Sequence, residues 1–512
     1  MNNYSGDSIG EIWLIPFFGQ GHLLPTMELC KHIASRNFIA SLVISSDLSS
    51  TIPSSLRQYP RIQVLEIPQP PPPPPSSDPF HHLFGNHSHM EQAIQHFLSS
   101  RSISTLPLCA IVDVMMSWTA QIFNRFQIPI IGFFTSGACS AAMELALFKS
   151  PILHLNPGDV RLIPGLPENM AITASDLKRR PHGPGHGPPP SRSGGAEPPP
   201  PPTADRQSKI GPRKFGGPPK PGDHPPWLKE TGDWIAIMIN TCDVIEGPFI
   251  EYLTNQIEKP VWGVGPLLPE QYWKSGGGSI VHDHESRTNR RSTTISEEEV
   301  ITWLDSKPRG STLYVSFGSE VGPTMEEYPR LADALEASNR PFIWVIQPGA
   351  GRSGPPRATQ AQDGEGYNAD GLDKRVGERG LIIRGWAPQL LILSHGSTGG
   401  FLSHCGWNSS IEAIGRGVPI LAWPIRGDQY YNAGLIIKHL KVGFMICDDV
   451  SQEITKDDIV NGIHKLLGDE EVRKRAGIVG GQVGEGFPLS SMASLDAFKD
   501  FIITNKTNYI LD

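Results

Sequence analysis

Cysteine is scarce in this chain, with six residues among 512, and no two of them form a CxxC pair. Such scattered cysteines are typical of free, mostly buried thiols in a reducing compartment, so we expect a cytoplasmic protein. No run of about 18 uninterrupted apolar residues is present, which predicts no membrane span. The first residues lack a basic region followed by an apolar run, and we therefore expect no signal peptide.

Charge of one sign is not in large excess either. The chain has 44 Lys and Arg against 52 Asp and Glu, a formal net charge of −8, and a sequence pI of about 6.1. This balance gives no electrostatic basis for binding nucleic acid or an anionic membrane. Because 512 residues exceed what one core usually holds, the length predicts two domains.

Proline and glycine are abundant, with 49 and 53 residues, and they cluster. Residues 181–226 contain 16 Pro and 9 Gly among 46 residues, which predicts a disordered or loosely extended insert. A Pro-rich docking segment for a partner is the alternative. The run Pro70–Pro75 and the loop Gly349–Gly371 are biased in the same way, and Gly276–Gly278 opens a flexible linker.

Histidines follow the first proline run, at His81, His82, His87 and His89. Their spacing matches no standard zinc site, and no cysteine stands near them. We therefore expect no metal there, and we interpret this stretch as a loop near a ligand cleft.

The first strand–turn–helix pattern runs from Glu11 to about Ser35. Glu11–Phe18 is a buried strand candidate, followed by GQGHLLP and a helical run. A dinucleotide-binding turn would need a third glycine where Leu24 stands, so that function is not favoured. His22 lies at the mouth of the turn, either as a helix-capping residue or as a functional histidine.

Two further strands end in polar residues. Leu108–Asp113 ends in a carboxylate, and Asp113 either caps the next helix or stabilises a histidine acting as a base. Ile128–Phe134 is followed by Thr135, whose hydroxyl is suited to cap the next helix.

The pattern with the most chemistry lies between Trp386 and Gln429. A strand at Phe401–Ser403, a turn of small residues and a helical run at Ile411–Ile414 form the geometry that holds phosphates. The free N–H groups and the positive dipole end of such a helix point at the anion. A second strand, Val418–Pro424, precedes two polar residues at the edge where α/β proteins bind ligands.

This segment resembles the signature box of the plant secondary-product UDP-glycosyltransferases, family 1. The resemblance rests on WAPQ at 386–389, HCGWNS at 404–409, GVP at 417–419 and DQ at 428–429. It implies the GT-B fold, an α/β architecture in which two Rossmann-like domains face each other across a cleft. It covers most of the chain apart from the proline-rich and glycine-rich inserts.

The resemblance also implies roles for individual residues. His22 would be the catalytic base, assisted by Asp113. For the nucleoside of the UDP-sugar, Trp386 would stack on uracil, Ala387 would meet its edge, and Gln389 and Glu412 would bind ribose. The phosphates would be bound by His404, Asn408, Ser409 and Ser319. The sugar would face Trp407, Asp428 and Gln429, and Thr135 would touch the sugar or its phosphates.

The domain limits expected from the sequence are 1–255 for the acceptor domain, 256–295 for the linker and 296–490 for the UDP-sugar domain. Residues 491–512 would form a C-terminal helix or tail that packs back on the first domain. Ser296 and Glu299 predict a capping box at the start of a helix.

Together these features predict an inverting UDP-glycosyltransferase, most simply one that moves glucose from UDP-glucose to a small phenolic, flavonoid-like or terpenoid acceptor. We expect no metal, since no DxD-type cluster lies near the box. We also expect no cofactor and a monomer. Three alternatives stay open: a sugar-nucleotide-binding protein without turnover, C-glycosyl rather than O-glycosyl transfer, and a nicotinamide oxidoreductase. The acceptor itself is not specified by the sequence.

Overall fold

The structure is a computed structural model that describes residues 8–68, 87–150, 152, 155–180, 222–225, 227–228, 231–274, 295–351, 366–484 and 486–509. Residues 87–88 and 506–509 are described by their backbone alone. The proline run at 70–75, His81, His82, the side chain of His87 and most of the insert at 181–226 lie outside this part of the chain. So do Gly276–Gly278 and the centre of the 349–371 loop.

The first sheet has seven parallel strands in the order β3-β2-β1-β4-β5-β8-β9. Their residues are mostly apolar because helices cover both faces of a parallel sheet. The chain order is interrupted between β5 and β8 by a small antiparallel pair, β6 and β7. The strands are β1 Glu11–Ile15, β2 Ile39–Ser45, β3 Ile62–Ile67, β4 Cys109–Asp113, β5 Ile130–Phe134, β6 Val160–Arg161, β7 Ile172–Thr173, β8 Ala236–Ile239 and β9 Val261–Gly263.

The second sheet has six parallel strands in the order β12-β11-β10-β13-β14-β15. They are β10 Thr312–Ser316, β11 Phe342–Ile346, β12 Gly380–Arg384, β13 Thr398–Ser403, β14 Ile420–Ala422 and β15 Gly443–Met445. Both sheets have the order of a Rossmann-like unit, as the sequence predicts.

Helices connect the strands. They are α1 Gln20–Ala34, α2 Ser54–Arg57, α3 His87–Ser99, α4 Ala120–Arg125, α5 Ala138–Lys149, α6 Asp243–Ile257, α7 Glu270–Lys274, α8 Glu297–Asp305, α9 Glu327–Ala337, α10 Leu372–Val376, α11 Gln389–Ser394, α12 Trp407–Gly415, α13 Gln429–Gly434, α14 Lys456–Gly468, α15 Glu470–Gly484 and α16 Leu489–Tyr509. The predicted capping box is confirmed at α8, where Ser296 Oγ accepts from Glu299 N at 3.2 Å and Glu299 Oε2 accepts from Ser296 N at 2.8 Å. Within the described residues, no helix is long and apolar enough to cross a membrane.

The last helix returns to the first sheet. Leu495, Phe498 and Ile502 of α16 are buried in the same apolar cluster as Ile12 and Leu14 of β1. Arg36 Nε also contacts Asp496 Oδ1 at 2.8 Å. The strand β9 lies in the stretch 256–295 that the sequence analysis assigns to the linker, yet it pairs with β8 of the first sheet. The domain limits themselves stay a prediction.

A short segment of the first unit, Asp176–Arg180, lies against the second. Lys178 pairs with Asp449, Arg180 pairs with Glu327, and Lys438 Nζ donates to Asp176 Oδ2 at 2.5 Å. The backbone N–H of Arg180 donates to Tyr430 Oη at 3.1 Å. The segment therefore joins the two units beside the cleft, just before the proline-rich stretch begins.

Candidate active site

The carboxyl ends of the two sheets meet at one cleft. On the first side, β1 leads through Gly19 into α1, and on the second side β13 leads through Gly406 into α12. The two turns touch directly, since Asn408 Nδ2 donates to the carbonyl oxygen of Gly21 at 2.8 Å. The two strand–turn–helix patterns predicted from the sequence, almost 400 positions apart in the chain, thus lie side by side.

His22 and Asp113 are in contact within the cleft. The distance from His22 Nδ1 to Asp113 Oδ2 is 2.8 Å, and the carboxylate side chain is fully buried. The other oxygen, Asp113 Oδ1, accepts from Met115 N at 2.9 Å and caps the short helix Val114–Thr119. Asp113 therefore caps the helix and also contacts His22. That it stabilises a histidine acting as a base stays a prediction.

The ring of His22 is oriented by two partners on one nitrogen. Thr135 Oγ1 lies 2.9 Å from the same Nδ1. Burial lowers the pKa of His22, but the charge and hydrogen bond of Asp113, with the charges of Glu320 and Asp428, outweigh it and raise the pKa overall. Nε2 has no hydrogen-bond partner in the described part of the chain, so this nitrogen is available to an incoming group.

His404 lies between the glycine turns that follow β10 and β13. Gly318 has a φ of +73°, and a Cβ there would stand 2.9 Å from His404 Nε2. Burial lowers the pKa of His404 to about 4, so its ring is neutral near pH 7. Its Nδ1 atom is buried without a partner among the described residues. A buried polar atom of this kind suits a ligand contact, as a donor rather than as a cation.

Gln389, Ser409 and Glu412 form one hydrogen-bonded group. Gln389 Nε2 donates to Glu412 Oε2 at 2.7 Å and to Ser409 Oγ at 3.1 Å, while Tyr314 Oη donates to Gln389 Oε1 at 3.2 Å. The group contains several acceptors for sugar hydroxyls in one place. The sequence predicted three of its members. The fourth, Tyr314 on β10, was not identified because its partner Gln389 lies on a distant element, α11.

Three further predicted contacts lie at the same edge. Trp386 and Ala387 follow β12, after Gly385 with a φ of +93°, and Ser319 follows the turn at Gly318. Trp386 and Ser319 are partly buried, whereas Ala387 is buried. Their contacts with a nucleotide stay predictions.

Trp407 and Asn408 face the first unit. Trp407 Nε1 donates to the carbonyl oxygen of Asn240 at 2.7 Å, and the indole lies against Gly137. Asn240 Nδ2 approaches Asn408 Oδ1 at 3.5 Å. Since both side chains contact protein, their predicted sugar and phosphate contacts require these groups to be shared or exchanged when a ligand binds.

Asn240 is a functional candidate that the sequence analysis missed. It is 1% exposed, and besides Asn408 it donates to the carbonyl of Thr135 at 3.3 Å and accepts from Leu267 N at 2.7 Å. It connects the residue beside His22 with the turn that begins α12. Its place directly after a buried strand, at the carboxyl edge of the sheet, is the one sequence feature that indicates it.

We expect Asn240→Ala to lower the rate of transfer roughly tenfold and the free energy of unfolding by about 1–3 kcal/mol, because buried partners lose their hydrogen bonds. Steady-state kinetics and thermal unfolding measure the two effects. Ser397→Ala is the control, since the buried Ser397 hydroxyl donates to Leu304 O at 2.7 Å near the amino end of β13. It should lose stability alone. An unchanged rate in folded Asn240→Ala would show that the connection from Thr135 to the turn before α12 does not affect the reaction.

A second missed residue is Glu246 of α6, whose buried carboxylate reaches the first residues of α5. Its two oxygens accept from Ala138 N and Cys139 N, each at 2.7 Å. Burial raises its pKa to about 7, although these N–H groups and the nearby Thr241 hydroxyl oppose the shift. It supports the helix that follows Thr135, and its non-helical backbone inside α6 is not visible in the sequence.

Asp428 and Gln429 lie at the start of α13. Asp428 Oδ2 accepts from Asn432 Nδ2 at 3.0 Å, and burial raises its pKa. Gln429 Oε1 accepts from Ile425 N and Arg426 N at 2.9 and 3.0 Å. These bonds fix the amide, whose Nε2 has no hydrogen-bond partner within the described residues.

The described residues hold no group of three His, Cys, Asp or Glu side chains arranged for a metal ion. His89 Nε2 instead lies 2.6 Å from the carbonyl oxygen of Pro68.

Comparisons with known proteins match this geometry. Residues 293–478 fit the family model "UDP-glucoronosyl and UDP-glucosyl transferase". UDP-glycosyltransferase 73D1 of Arabidopsis thaliana is 29% identical over 496 residues, with 90% of this chain and 87% of that protein covered. UDP-glycosyltransferase 73C2 of the same plant is 28% identical over 493 residues, covering 92% and 88%.

Solved structures show the same fold. A UGT transferase from Siraitia grosvenorii in complex with UDP superimposes with a TM-score of 0.70 at 21% identity, over 96% of this chain and 99% of that one. UGT71G1 of Medicago truncatula, complexed with UDP-glucose, has a TM-score of 0.69 at 22% identity, over 96% and 98%. These similarities confirm the predicted GT-B arrangement of the two sheets.

Proposed function

Since this chain belongs to the plant UDP-glycosyltransferases of family 1, we propose that it moves glucose from UDP-glucose to a small phenolic, flavonoid-like or terpenoid acceptor with inversion at the anomeric carbon. The observation that best supports this proposal is the pairing of His22 with Asp113 at 2.8 Å, beside the turn that leads into α12. The bound UDP-glucose of the Medicago relative supports the choice of donor.

In the proposed reaction, His22 Nε2 takes the proton of the acceptor hydroxyl as its oxygen attacks the anomeric carbon. Asp113 stabilises the resulting imidazolium and holds the proton on Nδ1. The C–O bond to UDP breaks as the new glycosidic bond forms on the opposite face of the sugar. Transfer to carbon rather than oxygen remains the alternative, and it would use the same base.

The leaving UDP gains negative charge, which the residues around α12 are suited to stabilise. The free N–H groups at the start of this helix and its dipole favour an anion. We propose that His404 donates from its neutral ring, and that Asn408, Ser409 and Ser319 contact the phosphates. Preorganised donors of this kind are often the largest contribution to catalysis.

At the other end of the donor, we propose that Trp386 stacks on uracil, Ala387 meets its edge, and Gln389 and Glu412 bind the ribose hydroxyls. Trp407, Asp428 and Gln429 would face the sugar, and Thr135 would contact it from the first unit. A carboxylate facing two neighbouring hydroxyls is chemically apt. We propose a cytoplasmic location as well, since all six cysteines are free thiols and five of them are buried.

The donor assignment predicts that UDP-glucose is used roughly ten- to a hundredfold better than UDP-galactose, because one lost hydroxyl contact in a buried site costs about 1–3 kcal/mol. UDP-glucuronic acid should also be poor, since the exposed Arg426 lies 3.4 Å from Glu320 and its charge is partly compensated. Competition among equimolar donors, followed by mass spectrometry of the products, tests this. Products dominated by galactoside or glucuronide would overturn it.

A further inference from the structure

One carboxylate beside the cleft has no part in the mechanism above. Glu144 lies on α5, the helix that starts just after Thr135, and its side chain is partly buried. Its Oε2 atom accepts from Trp227 Nε1 at 3.0 Å. The ring of Trp227 packs edge-on against Phe134, with ring centroids 5.2 Å apart. Because Phe134 precedes Thr135, this contact places Glu144 on the acceptor side of His22.

The second unit encloses the same region from the opposite side. Cys139, on the same helix, lies with its Sγ 3.8 Å from the carbonyl oxygen of Tyr431 on α13. Arg179 lies over the rings of Tyr430 and Tyr431, at 4.4 and 5.4 Å from their centroids. Since α13 begins just after Asp428, this contact sets α5, the helix that carries Glu144, beside the element of the predicted sugar contacts.

The other oxygen of this group, Oε1, has no hydrogen-bond partner among the described residues. Burial raises the pKa of Glu144 to about 7, the Trp227 hydrogen bond lowers it, the charge of Asp428 raises it and that of Arg179 lowers it. A carboxylate oxygen without a partner can accept a hydrogen bond from a donor group that a ligand brings near it. An acceptor that reaches both His22 and the anomeric carbon has to occupy this same region.

We propose that Glu144 is a specificity-determining residue, whose Oε1 accepts a hydrogen bond from a second hydroxyl group on the acceptor. The inference rests on the proposed function and deepens it, since it names the acceptor class: a molecule with a further hydrogen-bond donor apart from the hydroxyl that reacts. An acceptor without that donor leaves Oε1 unpaired in the complex and binds less well. A merely structural role, in which Glu144 only anchors Trp227, predicts no such selectivity.

Two matched pairs of phenols test the proposal: 4,4′-dihydroxybiphenyl with 4-hydroxy-4′-methoxybiphenyl, and the shorter hydroquinone with 4-methoxyphenol. Within each pair the reacting hydroxyl is the same and the distal donor is present or methylated. The measured quantity is the ratio of kcat/KM within a pair, corrected for the two equivalent hydroxyls of the diol. The wild-type ratio should be roughly ten- to a hundredfold for the pair whose length fits.

Glu144→Gln keeps a carbonyl acceptor and should retain most of this ratio. Glu144→Met and Glu144→Leu remove the acceptor and should bring the ratio close to one, chiefly through KM for the diol. Glu251→Leu is the control, because Glu251 is exposed on α6 and should leave the ratio as it is. Two apolar variants are made so that the test can be carried out even if one of them does not fold.

Calorimetric binding of the same phenols to the UDP complex gives the ratio without turnover, and so separates this inference from the proposed function. Binding selectivity without transfer would count against the function and support the role of Glu144. A ratio that stays at its wild-type value in a folded Met or Leu variant, or a wild-type ratio near one for both pairs, would overturn the inference. Failure of the wild-type protein to bind any of the four phenols would overturn it as well.

Discussion

His22→Ala should abolish glycosyl transfer while leaving the affinity for UDP nearly unchanged. In the proposed mechanism His22 takes the acceptor proton, so its loss should lower kcat by about 10²–10⁴-fold. UDP affinity should persist because the predicted nucleotide contacts, including Gln389 and Glu412, lie in the second unit. The two quantities are measured by steady-state kinetics with a saturating acceptor and by calorimetric titration with UDP.

The control for this variant is His464→Ala. His464 is an exposed histidine on α14 whose Nε2 lies 2.9 Å from the carbonyl oxygen of Ser338, away from the cleft. Its removal should cost some stability and leave the rate within a factor of about two of wild type. Transfer by His22→Ala within tenfold of wild type would remove the assignment of His22 as the base, since a base contributes more than that.

The local patterns of the sequence predict most of the strands. The predicted strand Leu108–Asp113 matches β4 to within one residue, and Phe401–Ser403 falls within β13, because apolar runs bounded by turn residues are determined within a few positions of the chain. The apolar run Leu390–Leu393 has no such clear pattern, and the structure forms the short helix α11 there. Four buried residues in a row fit a helix and a strand equally well.

Contacts between distant segments were predicted only where a family resemblance supplied them. The pairing of His22 with Asp113 came from it, and the structure brings the two side chains together across 91 positions. Asn240, Glu246 and Glu144 were missed because each acts through partners on other elements. A single polar residue at the end of a strand or inside a helix can be buried against a partner or exposed to water. The neighbouring residues in the sequence do not show which of the two applies.

The return of α16 to the first core illustrates the same limit in the fold. The expected C-terminal helix or tail packs back on the first domain, but the apolar positions of Leu495 and Phe498 by themselves do not specify which strands they meet. In the structure they join β1, and Ser491 Oγ donates to Gly265 O at 2.5 Å at the junction of the two units. Such partners depend on how the whole chain packs rather than on the residues nearby.

Asp113→Asn should lower kcat/KM at neutral pH by roughly ten- to a thousandfold, less than the loss of His22, and should also change the pH profile. Burial lowers the pKa of His22, and the charge and hydrogen bond of Asp113 are the main groups that raise it above its ordinary value. The base works in its neutral form, so wild-type activity falls as the pH drops through this raised pKa. Without the Asp113 charge the pKa of His22 falls, so the acidic limb of the profile should move to lower pH while the plateau drops.

Asp305→Asn is a matched control, because Asp305 Oδ1 lies 3.1 Å from His395 Nε2 at the amino end of β13. It should keep both the rate and the profile. Two results would show that Asp113 does not stabilise the protonated base. One is a full rate for Asp113→Asn across neutral pH, and the other is an acidic limb of the pH–rate profile that stays in place or moves to higher pH.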